Sequence, residues 1–352
     1  MYTSPGLPQK PSRDAINTPV SALDGDTYLH KLCAMKAPVE LIKEAVFSLG
    51  ADVQALNRFQ VPPLGVAIAG GDLRIIRCLI EECRAELFFS VGGKPCFNAA
   101  ATAVLFGRED ALRVILDNGG GAYVNVPWPD AGGLCCLSLA ILQDRLCLVD
   151  ALLATGAFLS REEGGEKMTP LHRAAHLGDR AMIKKLFEAG AALDQRQSAS
   201  GMTALHYAAS SGKFYAIDYL LQQGADPNAV TAAGLTPLML AIMSGSSVMS
   251  LNAALVSRLI DGGADVNYQR PDNPKDTALH FAAARGDNDS VVTLLRSGAD
   301  PLLADAFNRT AARAARIASY SALANKLDDA ARKAEQAFFE KHYQPPPCSG
   351  TL

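Results

Sequence analysis

What most constrains this chain is a tetrapeptide that returns at a nearly fixed interval. Thr169-Pro-Leu-His172, Thr203-Ala-Leu-His206, Thr236-Pro-Leu-Met239 and Thr277-Ala-Leu-His280 begin 34, 33 and 41 residues apart. Three of the four are followed by an Ala pair (Ala174-Ala175, Ala208-Ala209, Ala282-Ala283) and by Gly at the tenth position (Gly178, Gly212, Gly286). An apolar pair such as Leu220-Leu221 or Leu294-Leu295 and then Gly-Ala-Asp or a relative complete the unit. A period near 33 residues marks a stack of small units, each burying its apolar face only against its neighbours.

The chemistry of one unit predicts two helices and a hairpin. Thr can cap a helix by accepting from a first-turn N–H, and Pro at the next position loses nothing because that N–H has no helical partner. Small Ala residues let helices approach closely, while Leu and Ile at helical spacing form the stripe that meets the next unit. Gly at the tenth position ends the first helix in the left-handed region, and the Gly of Gly224-Ala-Asp-Pro-Asn228 or Gly263-Ala-Asp-Val-Asn267 ends the second before a polar hairpin.

Weaker copies extend the array. Thr27-Tyr-Leu-His30, Pro62-Pro-Leu-Gly65, Asn98-Ala-Ala-Ala101 and Cys135-Cys-Leu-Ser138 lead to Thr169 by steps of 35, 36, 37 and 34 residues, the last copy carrying Asp144 where Gly is expected. Thr310-Ala-Ala-Arg313 follows Thr277 by 33 residues and lacks the usual Gly-Ala-Asp, as a capping unit should. Between Thr236 and Thr277 the longer step holds an insert, Ser246 to Asn252, which reads as a loop on the edge away from the hairpins.

With these elements in register, the chain resembles the ankyrin-repeat family. The resemblance implies an all-α solenoid of about nine repeats, starting near 27, 62, 98, 135, 169, 203, 236, 277 and 310, within a domain at 21–330. Residues 1–20 and the Pro-rich 344–352 lack periodicity and read as disordered tails. A C-terminal helix is expected at 331–343, with Phe338 and Phe339 folding back over the last repeat.

Charge and cysteine usage narrow the function. With 33 basic and 36 acidic residues the net charge is -3, so no basic field favours nucleic acid. The basic strip Arg313, Arg316, Lys326, Arg332 and Lys333 alternates with Asp328, Asp329 and Glu335 and reads as a solvated face. No apolar run of about 18 residues spans a bilayer and the first residues lack a signal-peptide core, so membrane insertion is not expected. The 8 cysteines form no CxxC pair and read as buried thiols in a reducing, cytoplasmic setting.

Chemistry finds few residues. His172 and His176, four apart on one helix, are the best metal pair, but His172 is the repeat's own His and no third ligand follows. Cys135-Cys136 sits at a helix start, where a thiol pKa can fall, yet capping positions explain it as well. Phosphate-binding, nucleophile-elbow and kinase motifs are absent. We therefore expect no catalytic residues, cofactor or metal; the alternative is an enzyme-linked or metal/redox module around Cys135 and His172.

The resemblance also implies that a protein partner is held on the concave face, by hairpin tips and first helices. Large side chains there supply the anchors. From the hairpins these are Trp128 (in Pro127-Trp-Pro129), Arg270, Tyr268, Arg196 and Phe59, and from the first helices Arg173, Tyr207, Phe281 and Arg285. Trp128, the only Trp, in a proline-stiffened hairpin, heads the set. The reading is a monomeric, non-catalytic scaffold or adaptor. Two variants stay open, a housekeeping adaptor and an effector exported into a host by a specialised system, the latter suggested only by Ala- and Gly-rich repeats.

Overall fold

The computed structural model describes residues 8–20, 23–91, 94–244, 249–271 and 274–342. Two compact units form, Met1–Pro170 and Leu171–Leu352, dividing where the degenerate copies give way to the regular ones.

In the first unit the first helices of successive repeats are α1 (Tyr28–Ala34), α3 (Pro63–Gly70), α5 (Ala99–Leu105) and α7 (Cys136–Leu142). Their partners are α2 (Val39–Lys43), α4 (Leu73–Arg77), α6 (Glu109–Asp117) and α8 (Leu146–Ala154), with α2 and α4 running on in wider π geometry to Ser48 and Glu82. Before α5 the chain also forms an antiparallel ribbon, β1 (Phe88–Val91) and β2 (Lys94–Asn98). Phe88 and Phe89 open the first strand. Phe88 stacks on Tyr123 at 4.8 Å, and Phe89 meets Phe97 at 5.5 Å across the ribbon.

In the second unit the first helices are α9 (Pro170–Leu177), α11 (Ala204–Ser210), α13 (Pro237–Ser244), α15 (Ala278–Arg285) and α17 (Ala311–Ile317). They alternate with α10 (Arg180–Glu188), α12 (Phe214–Gln222), α14 (Met249–Asp261), α16 (Asn288–Arg296) and α18 (Ser321–His342). Within each unit like helices pack on like: α1 on α3 on α5 on α7, and α11 on α13 on α15 on α17. The Leu of each tetrapeptide (Leu29, Leu64, Leu137, Leu171, Leu205, Leu238, Leu279) is at most 2% exposed, and the paired alanines are fully buried. Truncating one such Leu to Ala costs about 2–5 kcal/mol.

The tenth position repeats its backbone even where Gly is missing. Gly71, Gly107, Gly178, Gly212 and Gly286 have φ of 62–84°, and Lys36, Asp144 and Ser319 at the same place have φ of 52°, 55° and 69°. The structure demands the left-handed turn whatever residue is supplied.

The His of the tetrapeptide joins neighbouring repeats. In His30, His206 and His280, Nδ1 accepts the capping Thr N–H at 3.1–3.2 Å, so Nε2 carries the proton that it donates to a carbonyl of the next hairpin. Those carbonyls belong to Val61, Leu235 and Arg309, at 2.9, 3.1 and 2.9 Å. Asn side chains form a second ladder. Asn125, Asn228 and Asn267 donate to the carbonyls of Gly156, Gly263 and Gly298 in the following repeat and accept from the N–H of Phe158, Asp265 and Asp300.

Four expectations are corrected. Residues 8–20 are not a structureless tail: Asn17 makes the same two bonds, to Gly50 O and Asp52 N, and Ile16 is 2% exposed, so this segment acts as the hairpin of a preceding half-repeat. The C-terminal helix does not start at 331; α18 runs unbroken from Ser321 because nothing between there and His342 is Gly or Pro. Its first turns pack as the last repeat's second helix through Leu323, Ala324 and Leu327, while Phe338 and Phe339 are 63% and 66% exposed instead of folding back. In the insert, Met249 to Asn252 is helical, lengthening α14 to 13 residues against 9 in α10, α12 and α16. Residues 246–248 and the tail at 344–352 lie outside the described residues.

Candidate partner-binding surface

Two of the hairpins are small Asx-braced loops of like build. Asn57 Oδ1 accepts from Phe59 N and Val61 N, and Asp305 Oδ1 accepts from Phe307 N and Arg309 N. This turn throws the residue two places after Asn or Asp to the tip. Phe59 is 70% exposed there and Phe307 59%. Phe307 is missed by sequence reasoning because it sits beside the atypical last repeat; the shared Asn/Asp-x-Phe spacing is the signal that finds it.

The predicted anchors sort by exposure. Phe59 and Arg196 are exposed, and Tyr268, Arg270 and Phe281 are half-buried. Arg285 is exposed but donates to Met243 O at 2.6 Å, closing the C-terminal end of α13. Arg270 donates from Nε and a terminal nitrogen to Ala233 O at 3.1 and 2.9 Å, clipping its hairpin to the preceding one.

Three anchors are corrected. Trp128 is only 8% exposed: its N–H donates to Leu134 O at 2.9 Å and its carbonyl accepts from Gly133, so the tight turn folds the ring inward. Arg173 and Tyr207 are 6% and 7% exposed because their place on the first helix is covered by the adjoining repeat. Tyr207 packs against the rings of His172 and His176 at 5.2 and 6.3 Å. None of the three offers a ring or guanidinium to a partner.

The alternative chemistry around Cys135 and His172 meets a different environment. Cys135 and Cys136 are at most 1% exposed, and burial pushes both thiols up, Cys135 to about 12. That is opposite to an activated nucleophile. Cys135 N instead donates to the buried Glu163 carboxylate at 2.9 Å, supplying the acceptor that His provides in regular repeats; Ser138 occupies the His position. His172 Nε2 bonds Gln195 O and His176 Nδ1 lies 2.8 Å from Ser211 Oγ, so the two imidazoles serve separate partners. Among the described residues no group of three or more His, Cys, Asp or Glu could hold a metal ion, and no helix is long and apolar enough to cross a membrane.

Comparison with known proteins agrees with the repeat geometry. The family model described as ankyrin repeats (3 copies) matches residues 137–231 and 229–305. An E3 ubiquitin-protein ligase, KEG of Arabidopsis thaliana, is 30% identical over 291 residues, covering 79% of this chain and 17% of that protein. Rabankyrin-5 of Mus musculus is 30% identical over 166 residues, 47% of this chain and 14% of its own length. The chain thus spans less than a fifth of either curated relative. The crystal structure of the ankyrin repeat domain of Bcl-3, titled a unique member of the IkappaB protein family, is similar with a TM-score of 0.57 and 28% identity, covering 66% of this chain and 98% of that one.

Proposed function

Because this chain belongs to the ankyrin-repeat family, we propose that it is a non-catalytic scaffold holding a protein partner on its hairpin tips and first-helix faces. Ankyrin repeats bind protein partners, and the observation that carries the reading here is the exposure of Phe59 and Phe307 at two like-built tips. Repeat packing asks nothing of either ring. Burying a Phe side chain is worth about 1.5–3 kcal/mol, and rings of this kind concentrate binding energy.

The tips are stiff before any partner arrives. Asx turns fix the loops of Phe59 and Phe307, the Asn ladder ties a hairpin to its neighbour, and Arg270 adds a further clip. A stiff loop loses little entropy on docking. Arg196 and Tyr268 join the proposed contact set, with Phe281 and Arg285 on the first-helix side. The ligase activity of the plant relative belongs to a far longer protein and is not proposed for this chain.

Affinity capture from extract tests this. Intact protein should retain a partner that a Phe59→Ala, Phe307→Ala variant loses, while the variant's melting stays within about 0.5 kcal/mol because both rings are at the surface. Retention of every captured protein by a stably folded variant would contradict the reading.

A further inference from the structure

Between α15 and α17 the second unit contains a cavity of about 270 Å³. It is a half-open pocket lined by Ala284, Ala314 and Ala318 together with Phe281 and Ile317, the last 63% exposed. Asp276 and Asp305 with Arg309 stand at its polar end. The volume lies below the ~300–1,000 Å³ of small-molecule sites, so it suits one long side chain better than a cofactor.

The charges at the polar end do not cancel. Arg309 is spent on Asp305, with Nε and a terminal nitrogen at 2.7 and 2.6 Å from the same carboxylate oxygen. Burial pushes the Asp305 carboxyl up, but the bonds from Arg309 and from the turn amides outweigh it and hold the group below the usual carboxylate range. The same guanidinium lies 4.7 Å from the Phe307 ring. His280 is engaged through both ring nitrogens, Nδ1 accepting from Thr277 N–H and Nε2 donating to Arg309 O. Asp276 remains: half-buried, lining the cavity, and without an ion pair among the described residues.

We propose that this cavity receives one aliphatic side chain ending in a cation, a lysine or arginine of the protein partner. Its methylenes lie between Phe281 and Ile317 and its charge meets Asp276. Long basic side chains bury their stems against apolar surface in this manner while the head keeps a polar contact. The proposal rests on the partner-binding reading above and specifies the chemistry of one contact.

Methyl-detected NMR on the full chain reads the cavity directly, with N-acetyl-lysine N-methylamide as probe and the arginine, norleucine and glutamate analogues beside it. Saturable shifts are expected at Ile317, Ala284, Ala314 and Ala318 for the cationic probes, about fivefold tighter than for norleucine. The tighter of the lysine and arginine probes identifies the residue. Asp276→Asn should erase the margin over norleucine, and Ala284→Leu should block all probes by occupying the lined space. Equal affinity for norleucine, preference for glutamate, or no shift at these methyls would overturn the proposal. Such a failure leaves the capture by Phe59 and Phe307 standing, because the small probe touches neither ring.

Discussion

At the scale of single residues, the fold is held by side chains that finish one repeat and grip the next. His206 is fully buried, and burial lowers its pKa from the ordinary 6.5 to about 4. Between those values the unfolded chain takes up a proton that the folded chain refuses. Stability from this group is therefore complete above pH 6.5 and lost as pH falls towards 4, by up to about 3 kcal/mol. His30 is shifted the same way by burial. Urea unfolding from pH 7 to 4.5 should show this decline, and a His206→Gln variant should show a shallower one; identical slopes would refute it. Ser319 makes the opposite case. It occupies a left-handed position with φ of 69°, so Ser319→Gly should stabilise by about 1 kcal/mol in the same assay. The Gly expected at that position was legible in clean repeats, whereas the persistence of its backbone at Lys36, Asp144 and Ser319 was not, since the turn is imposed by packing against neighbours.

At the scale of elements, periodicity gave the helix pairs and misjudged the ends. Asn17 looked like part of a Pro-containing tail, yet it repeats the bonding of Asn125, Asn228 and Asn267, a likeness that the irregular sequence around it conceals. At the other end α18 covers the last repeat with Leu323, Ala324 and Leu327 before it extends outward. Deleting 310–352 removes both α17 and α18 and bares the face of α15 on which α17 packs. The truncated chain should aggregate in size-exclusion chromatography, as uncapped repeats do. A soluble species with an unchanged melt would contradict the capping role. The ribbon β1–β2 was beyond an all-helical pattern, for it fills one long connection through aromatic pairs that no repeat template contains.

At the scale of the molecule, a tetrapeptide that carries cap, core Leu and bridging His made the array readable. The partner surface was only half readable. Residue type alone ranks Trp128 and Tyr207 above Phe307, and only the burial of the first two and exposure of the third reverse that order. The most direct test replaces Phe59, Arg196 or Phe307 singly by benzoylphenylalanine and illuminates the protein in extract. Phe47 and Tyr215, exposed at 63% and 69% in the second-helix segments, serve as equally accessible controls. A partner bound on the hairpin tips cross-links at 59, 196 or 307 and not at 47 or 215. Cross-links confined to 47 and 215 would put the partner on the second helices and contradict the account.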